Sequence, residues 1–360
     1  MNSNSAPDLS GNREQMFEII INLCLLSNPE ICRQQLLAGL ETPSEQRCVA
    51  VRDGLDISLH FQAGHEAAID AATCREMPAG LQLTEVANGI FVHRGEISQP
   101  SSANLGDISN SGVVIGEKSI AVIDAGGSRA VGEDLYRAIR KLSPLPVSHL
   151  VLTHVHPDHV FGAAVFAEAG AEIVGHPNLF RALREREETY LRTFGTAIGE
   201  AGFLGTHADF AVGQVSEIDL GGRKLVLKAW PLAHSSSDLT ALDDLTGTLF
   251  AGDLIFEGHV PVLDGSLKGW KGILGEFETM AADRVVPGHG GPALPVADGV
   301  APMRSYLLAL EDDTRKALDA GERMSSAVTR IALEQAPFWD LFDAYNARNA
   351  TVAFTELEWE

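Results

Sequence analysis

The sequence predicts an α+β protein, a four-layer αβ/βα sandwich preceded by a small cysteine-containing module. Three observations carry that expectation. Two successive strand-rich halves are each closed by helices, a grammar that suits packed layers better than a doubly wound sheet. Histidines and aspartates recur just beyond strand ends. All four cysteines fall within the first 74 residues.

Residues 16–26 are an apolar run interrupted by Glu18 and Asn22, which reads as a buried strand or helix. The run makes a poor signal peptide, because Asp8 and Glu14 flank the single Arg13 and no small-residue cleavage site follows. The cytoplasm is therefore the expected compartment. A helical pattern covers residues 31–40. Cys24, Cys32, Cys48 and Cys74 lack C-x-x-C spacing, which argues against a zinc ribbon. The favoured reading is buried reduced thiols. The other is two disulfides, in one of three pairings, which would move the chain to an oxidising compartment such as the periplasm.

Met77-Pro78-Ala79-Gly80 marks a change of texture, dividing an N-terminal module (1–80) from a body (81–300), with a helical C-terminal extension at 301–360. In the body, 83–94 reads as a strand ending in a turn, and 113–115 with 120–124 as a hairpin across Gly-Glu-Lys-Ser. An amphipathic helix (129–142), a buried strand (149–153), a helix (160–169), a strand (171–174) and a charged helix (177–192) follow. The second half offers hairpins at 220–229 and 239–251, helix at 266–280, a short strand at 284–286 and a longer helix at 303–320.

Composition narrows the function. With 45% hydrophobic residues the chain can bury a sizeable core and is not disordered. Its 27 basic against 49 acidic residues give a formal charge of -22, which argues against nucleic acid and against anionic membrane surfaces. No stretch approaches the roughly 20 apolar residues that span a bilayer. A small-molecule substrate is the remaining expectation.

The sharpest local feature is Thr153-His154-Val155-His156-Pro157-Asp158-His159, set between a strand and a helix. One histidine is commonly a surface or satisfied core residue. Three imidazoles and a carboxylate so close together cost desolvation or repulsion unless coordination offsets it, and such sets suit zinc and iron. Alternation along the loop aims His154 and His156 at one ion, and Asp158 and His159 at a second. His234, Asp253 and His289 each follow a strand and supply further donors, with Gly252 and Gly288 beside two of them.

The ordered set His154-x-His156-x-Asp158-His159, His234, Asp253 and Pro287-Gly288-His289 resembles the metallo-β-lactamase superfamily over roughly residues 85–295. The resemblance implies one ion on His154, His156 and His234, another on Asp158, His159 and His289, and Asp253 bridging. Asp124, in Ile123-Asp124-Ala125-Gly126, is similar to the family's aspartate that supports the ligands from behind. Gly247-Thr248-Leu249-Phe250-Ala251-Gly252-Asp253-Leu254, then His259-Val260-Pro261 and Leu263-Asp264-Gly265-Ser266-Leu267, with the cysteine-bearing N-terminus and the ending from Arg348, resemble the quinoprotein relay system zinc metallohydrolases. That likeness implies a link to quinoprotein dehydrogenase components and supplies no substrate.

The site so read predicts metal-assisted hydrolysis of an ester, lactone, thioester or similar small substrate. Two ions, zinc with iron as the alternative, would stand roughly 3.5–4 Å apart and lower the pKa of a shared water toward about 7. Asp158 would orient the attacking hydroxide and shuttle its proton. His259 could reach the substrate side, although a loop histidine without a role explains it as well. Lys268 and Trp270 read as helix-surface residues, and His176 as a loop histidine. Two rivals remain: a mononuclear iron oxidoreductase of the persulfide-dioxygenase kind, which needs fewer of these ligands, and a metal-binding relay component that does no chemistry.

Overall fold

A computed structural model describes residues 15–56, 66–68, 72–208 and 210–359. Asp8, Arg13 and Glu14, which flank the first apolar run, lie outside them. The run itself is a strand, β1 (Phe17–Leu25), which pairs antiparallel with β2 (Cys32–Leu36), β3 (Glu66–Ala68) and β4 (Thr73–Glu76). The helix expected over 31–40 is thus replaced by β2, because strand pairing and burial of Leu36 outweigh a weak helical period. Helix α1 (Glu45–Asp53) starts where the Ser44 hydroxyl accepts from Arg47 N–H. It lays Cys48 against Ile19 and Ile21.

Register decides the cysteine chemistry. Cys24 stands directly opposite Cys32, and Cys74 opposite Ile19. The bonds are Cys24–Cys32 and Cys48–Cys74, which corrects the reduced-thiol reading.

The next six strands, β5 (Thr84–Ala87), β6 (Ile90–His93), β7 (Ser111–Ile115), β8 (Ile120–Ile123), β9 (Val147–Leu152) and β10 (Glu172–Gly175), form one sheet in the order β10-β9-β8-β7-β6-β5. The single strand expected at 83–94 is a hairpin, since Gly89 takes a φ of 67° and turns the chain between β5 and β6. Helix α2 (Arg129–Leu142) matches the expected span, its start capped by the Ser128 hydroxyl. The helix expected at 160–169 is two shorter ones, α3 (Pro157–Val160) and α4 (Ala163–Glu168). Proline opens the first. Gly162 breaks the pair where the chain passes so close to Ala125 that a Cβ would lie 2.0 Å from its carbonyl oxygen. Helices α5 (Leu179–Ile198) and α6 (Glu200–Phe203) follow β10.

The second sheet runs in order β11 (Glu217–Asp219), β12 (Lys224–Ala229), β13 (Leu239–Asp243), β14 (Thr248–Phe256) and β15 (Arg284–His289). Its helices are α7 (Leu267–Phe277), α8 (Val296–Asp319), α9 (Met324–Ala327) and α10 (Phe342–Leu357). Alternation on both sheets builds the sandwich. Val92, Val114, Ile123 and Val151 from one sheet meet Leu225, Leu227, Ala241 and Phe250 from the other. Val122, Leu150 and Leu152 face outward onto Leu135, Ile139 and Phe166 of α2 and α4. On the far side Leu249, Ile255 and Val285 meet Trp270, Tyr306 and Phe354 of α7, α8 and α10. These are the four expected layers. Among the described residues, no helix is long and apolar enough to cross a membrane.

The N-terminal sheet adds a fifth layer outside α2. Glu18, fully buried on β1, receives Arg137 of α2 at 2.8 Å and Arg75 of β4 at 2.6 Å. Glu133 of α2 joins Arg33 at 2.6 Å and Arg129 at 3.0 Å. Each charge in this seam has a partner, which desolvation requires.

Candidate metal centre

The strand ends of both sheets converge at one edge of the sandwich. β9 delivers His154, and the His156–Pro157 turn into α3 delivers His156, Asp158 and His159. The loop after β12 supplies His234, the middle of β14 supplies Asp253, and β15 ends on His289. β14 and β15 run parallel with register shifts at Gly252, which takes a φ of 51°. That irregularity and the absent side chain of Gly288 let Asp253 turn inward.

The seven donor residues fall into two groups. His154, His156, His234 and Asp253 form one, and Asp158, His159 and His289 the other, each with ligand atoms within 4.8 Å of one another. Asp253 joins them. Its Oδ2 lies 3.6 Å from His154 Nε2 and 3.4 Å from His234 Nε2, while Oδ1 lies 3.1 Å from His159 Nε2 and 3.4 Å from His289 Nε2.

Each imidazole has one nitrogen tied outside the cluster, which sets the other facing in. His159 Nδ1–H donates to Asp124 at 2.8 Å, and the same carboxylate accepts from Thr153 N–H at 2.8 Å and Thr153 O–H at 2.7 Å. With its proton so committed, Thr153 Oγ1 accepts from His154 Nδ1–H at 3.0 Å. His234 Nδ1–H donates to Val262 O at 2.6 Å, and His289 Nδ1–H to Ile108 O at 2.7 Å. His156 is turned the other way: Nε2–H donates to Asp264 at 3.3 Å, leaving Nδ1 inward. Those inward nitrogens crowd together, His156 Nδ1 standing 3.1 Å from His154 Nε2 and 2.9 Å from His234 Nε2.

Five inward imidazole nitrogens and two carboxylates thus converge on one buried volume, and His154, His156 and His234 turn lone pairs toward one another. Lone pairs facing lone pairs repel unless a cation lies between them. His159 Nε2 and Asp253 Oδ1 are buried without a hydrogen-bond partner. The residues present therefore fit divalent ions.

The electrostatics are consistent with that fit. Burial lowers His154 well below the ordinary histidine value, and lowers His234 to about 3. Burial would also lower His289, but Asp253 and Asp158 overcome it and raise the group to about 9. For Asp158 burial would raise the carboxyl, yet the charges of His159 and His289 hold it at about 2. The two carboxylates draw positive charge to this point.

The seven predicted donor residues and Asp124 thus lie together. His259 adjoins them: its ring is 4.9 Å from His289, and burial lowers it to about 4. Trp270 is no surface residue. It is fully buried with its ring 5.3 Å from His234, and its indole N–H donates to Leu254 O at 3.0 Å, because α7 turns this face inward. His176 keeps a structural place, donating from Nε2 to Trp230 O at 3.1 Å. Asp264, Tyr190 and Tyr345 received no role from the sequence. Asp264 stood in a motif already singled out, but nothing in its spacing pairs it with His156.

A four-layer αβ/βα sandwich carrying a His/Asp donor set for divalent metal at its strand ends defines the class. Residues 105–289 match the metallo-beta-lactamase superfamily, and the chain belongs to it. Members of that superfamily are typically metal-dependent hydrolases.

The fold is similar to that of a beta-lactamase domain protein from Burkholderia ambifaria, at TM-score 0.59 and 21% identity, over 78% of this chain and 90% of that one. It is also similar to a metallo-beta-lactamase family protein from Thermus thermophilus, at TM-score 0.58 and 22% identity, over 76% of this chain and 94% of that one. A stereoselective inverting sec-alkylsulfatase, Pisa1 from Pseudomonas sp., aligns at 0.56 and 15%, over 78% of this chain and 50% of its own. At these identities the likeness is one of fold.

Proposed function

We propose that this chain is a dinuclear zinc-dependent hydrolase acting on an ester, lactone, thioester or similar small substrate. The observation that carries the reading is Asp253, whose two oxygens face the two histidine groups. His154, His156 and His234 would hold one ion, and Asp158, His159 and His289 the other. When bound, such ions polarise a substrate oxygen and lower the pKa of water.

The chain's own residues do the rest. Asp158 is the donor carboxylate that reaches solvent, its side chain 12% exposed, and it is ionised at neutral pH. It orients the attacking water and takes its proton. In the reaction the water oxygen bonds to the carbonyl carbon, the bond to the leaving oxygen or sulfur breaks, and the proton passes to the leaving group. Asp124, Val262 O, Ile108 O and Asp264 hold the imidazoles in the required tautomers. His259, beside His289, faces the substrate.

The likeness of 247–254 and 263–267 to quinoprotein relay proteins supports a link to a quinoprotein dehydrogenase, since both segments lie at the site. Two disulfides support an oxidising compartment, the periplasm, over the cytoplasm.

Elemental analysis of the purified chain tests the reading. About two zinc ions per chain, falling to one or none in Asp253→Ala, is the expected result. About one iron, or no metal after zinc is supplied, would overturn it.

A further inference from the structure

The donor cluster is closed on most sides. His154, His159 and His234 are fully buried, whereas His156 and Asp158 keep 14% and 12% of their side chains in contact with solvent. The opening therefore lies on the His156 side. Its rim is built by α5, the loop after β14, and α10. Tyr190 of α5 packs its ring 6.4 Å from that of His156. Arg186, one turn earlier on α5, and Arg348 of α10 both approach Asp264, which itself accepts from His156.

Charges and hydrogen bonds on this rim do not balance. One carboxylate, Asp264, faces two guanidinium groups and an imidazole N–H. Arg348 donates to it at 2.7 Å. Arg186 stands 3.6 Å away, beyond a hydrogen bond, with its side chain 33% exposed. Among the described residues Arg186 makes no hydrogen bond, and neither does the Tyr190 hydroxyl. On the other side of the opening Tyr345 accepts from Gln99 at 2.7 Å, which leaves its own O–H to donate. The rim therefore offers unused donors on Arg186, Tyr190 and Tyr345 and, apart from Asp158 of the donor cluster itself, one more guanidinium than carboxylate, on a chain whose net charge is -22. Steering would favour an anion here against the field of the whole molecule.

Resting on the hydrolase reading, we propose that the substrate is anionic: Arg186 and Tyr190, with Arg348 beside them, hold a carboxylate, sulfate or phosphate group while the scissile bond lies at the donor cluster. A planar guanidinium with every N–H unspent matches the paired oxygens of such groups. Arg186 then sets specificity. Asp264 hydrogen-bonds Arg348 and His156 but only ion-pairs Arg186, at 3.6 Å, which leaves the N–H groups of Arg186 for the ligand.

The test is calorimetric titration of the purified, zinc-supplied full chain with glutarate, sulfate and phosphate, and with neutral glutaramide. Wild type, Arg186→Gln and Arg186→Lys are compared, each with its metal content measured. Tighter binding of one anion than of glutaramide is expected. Arg186→Gln should weaken it at least about tenfold, the loss of a charged hydrogen bond, at unchanged metal content, with partial recovery in Arg186→Lys. The best-bound anion assigns the group. Equal affinities in wild type and Arg186→Gln, no anion binding, or equal binding of glutaramide would overturn the proposal. Absence of metal from the wild type would count against the hydrolase reading, whereas the Arg186 comparison reads anion recognition by itself.

Discussion

Gly288 lies so close to Asp253 that a Cβ on it would stand 2.0 Å from Asp253 Oδ1 and 2.8 Å from the Gly252 carbonyl carbon. No side chain fits there without moving the carboxylate that faces both donor groups. Gly288→Ala should therefore displace Asp253 and shift the β14 backbone at Gly252 locally, while the regular pairing of residues 248–250 with 284–286 holds the rest of β15. We expect bound zinc to fall toward one per chain and turnover to fall on the order of 100-fold, the usual effect of an ångström-scale misplacement. Metal analysis beside far-ultraviolet circular dichroism checks this. Two tightly bound ions in the variant would show that Asp253 does not bridge.

Much of this centre was legible in the sequence because its donors follow strand ends in order. A strand end fixes where a side chain emerges, so His154, His234 and His289 could be placed without knowing the strand order. Asp253 reads as closing a strand at 251 but lies inside β14, which runs on to Phe256 past the irregularity at Gly252. What holds the imidazoles was mostly not legible. Val262 O and Ile108 O are backbone groups with no residue signature, and Asp264 meets His156 across 108 residues. Local patterns failed where pairing overrode them: β2 reads as helix until β1 lies beside it, and Trp270 reads as surface until α7 packs on the sheet.

The N-terminal sheet should be energetically part of the body. Glu18 has no exposure and binds Arg137 and Arg75 together, so Glu18→Ala removes the carboxylate that the buried Arg137 shares with β1, leaving it Asp134 at 2.8 Å, while Arg75 is 36% exposed. Truncating one partner of a buried pair costs about 3–5 kcal/mol. Urea unfolding should show a loss of that size. A loss below about 1 kcal/mol, as for exposed pairs, would mean that water reaches the seam.

The two disulfides should contribute unequally. They close segments with sequence separations of 8 and 26. Loop-closure entropy then gives about 2.5 kcal/mol for Cys24–Cys32 and about 3.5 kcal/mol for Cys48–Cys74. Paired Cys→Ala variants compared by denaturant unfolding should rank in that order. The reverse ranking would show that native packing around Cys24, rather than chain entropy, dominates.

His93 offers a pH-dependent contribution away from the metal donors. Burial would lower its pKa, but the hydrogen bond to Asp107 at 2.7 Å and that residue's charge raise it above 6.5. A folded value above the unfolded one means that the folded state binds the proton more tightly. The stabilisation is therefore complete below pH 6.5 and is lost as pH rises through the raised value. Wild type should exceed His93→Gln in unfolding free energy at about pH 5.5, and the gap should narrow by about pH 9. A gap that widens with pH would mean that His93 is neutral in the fold and that Asp107 accepts from an uncharged imidazole.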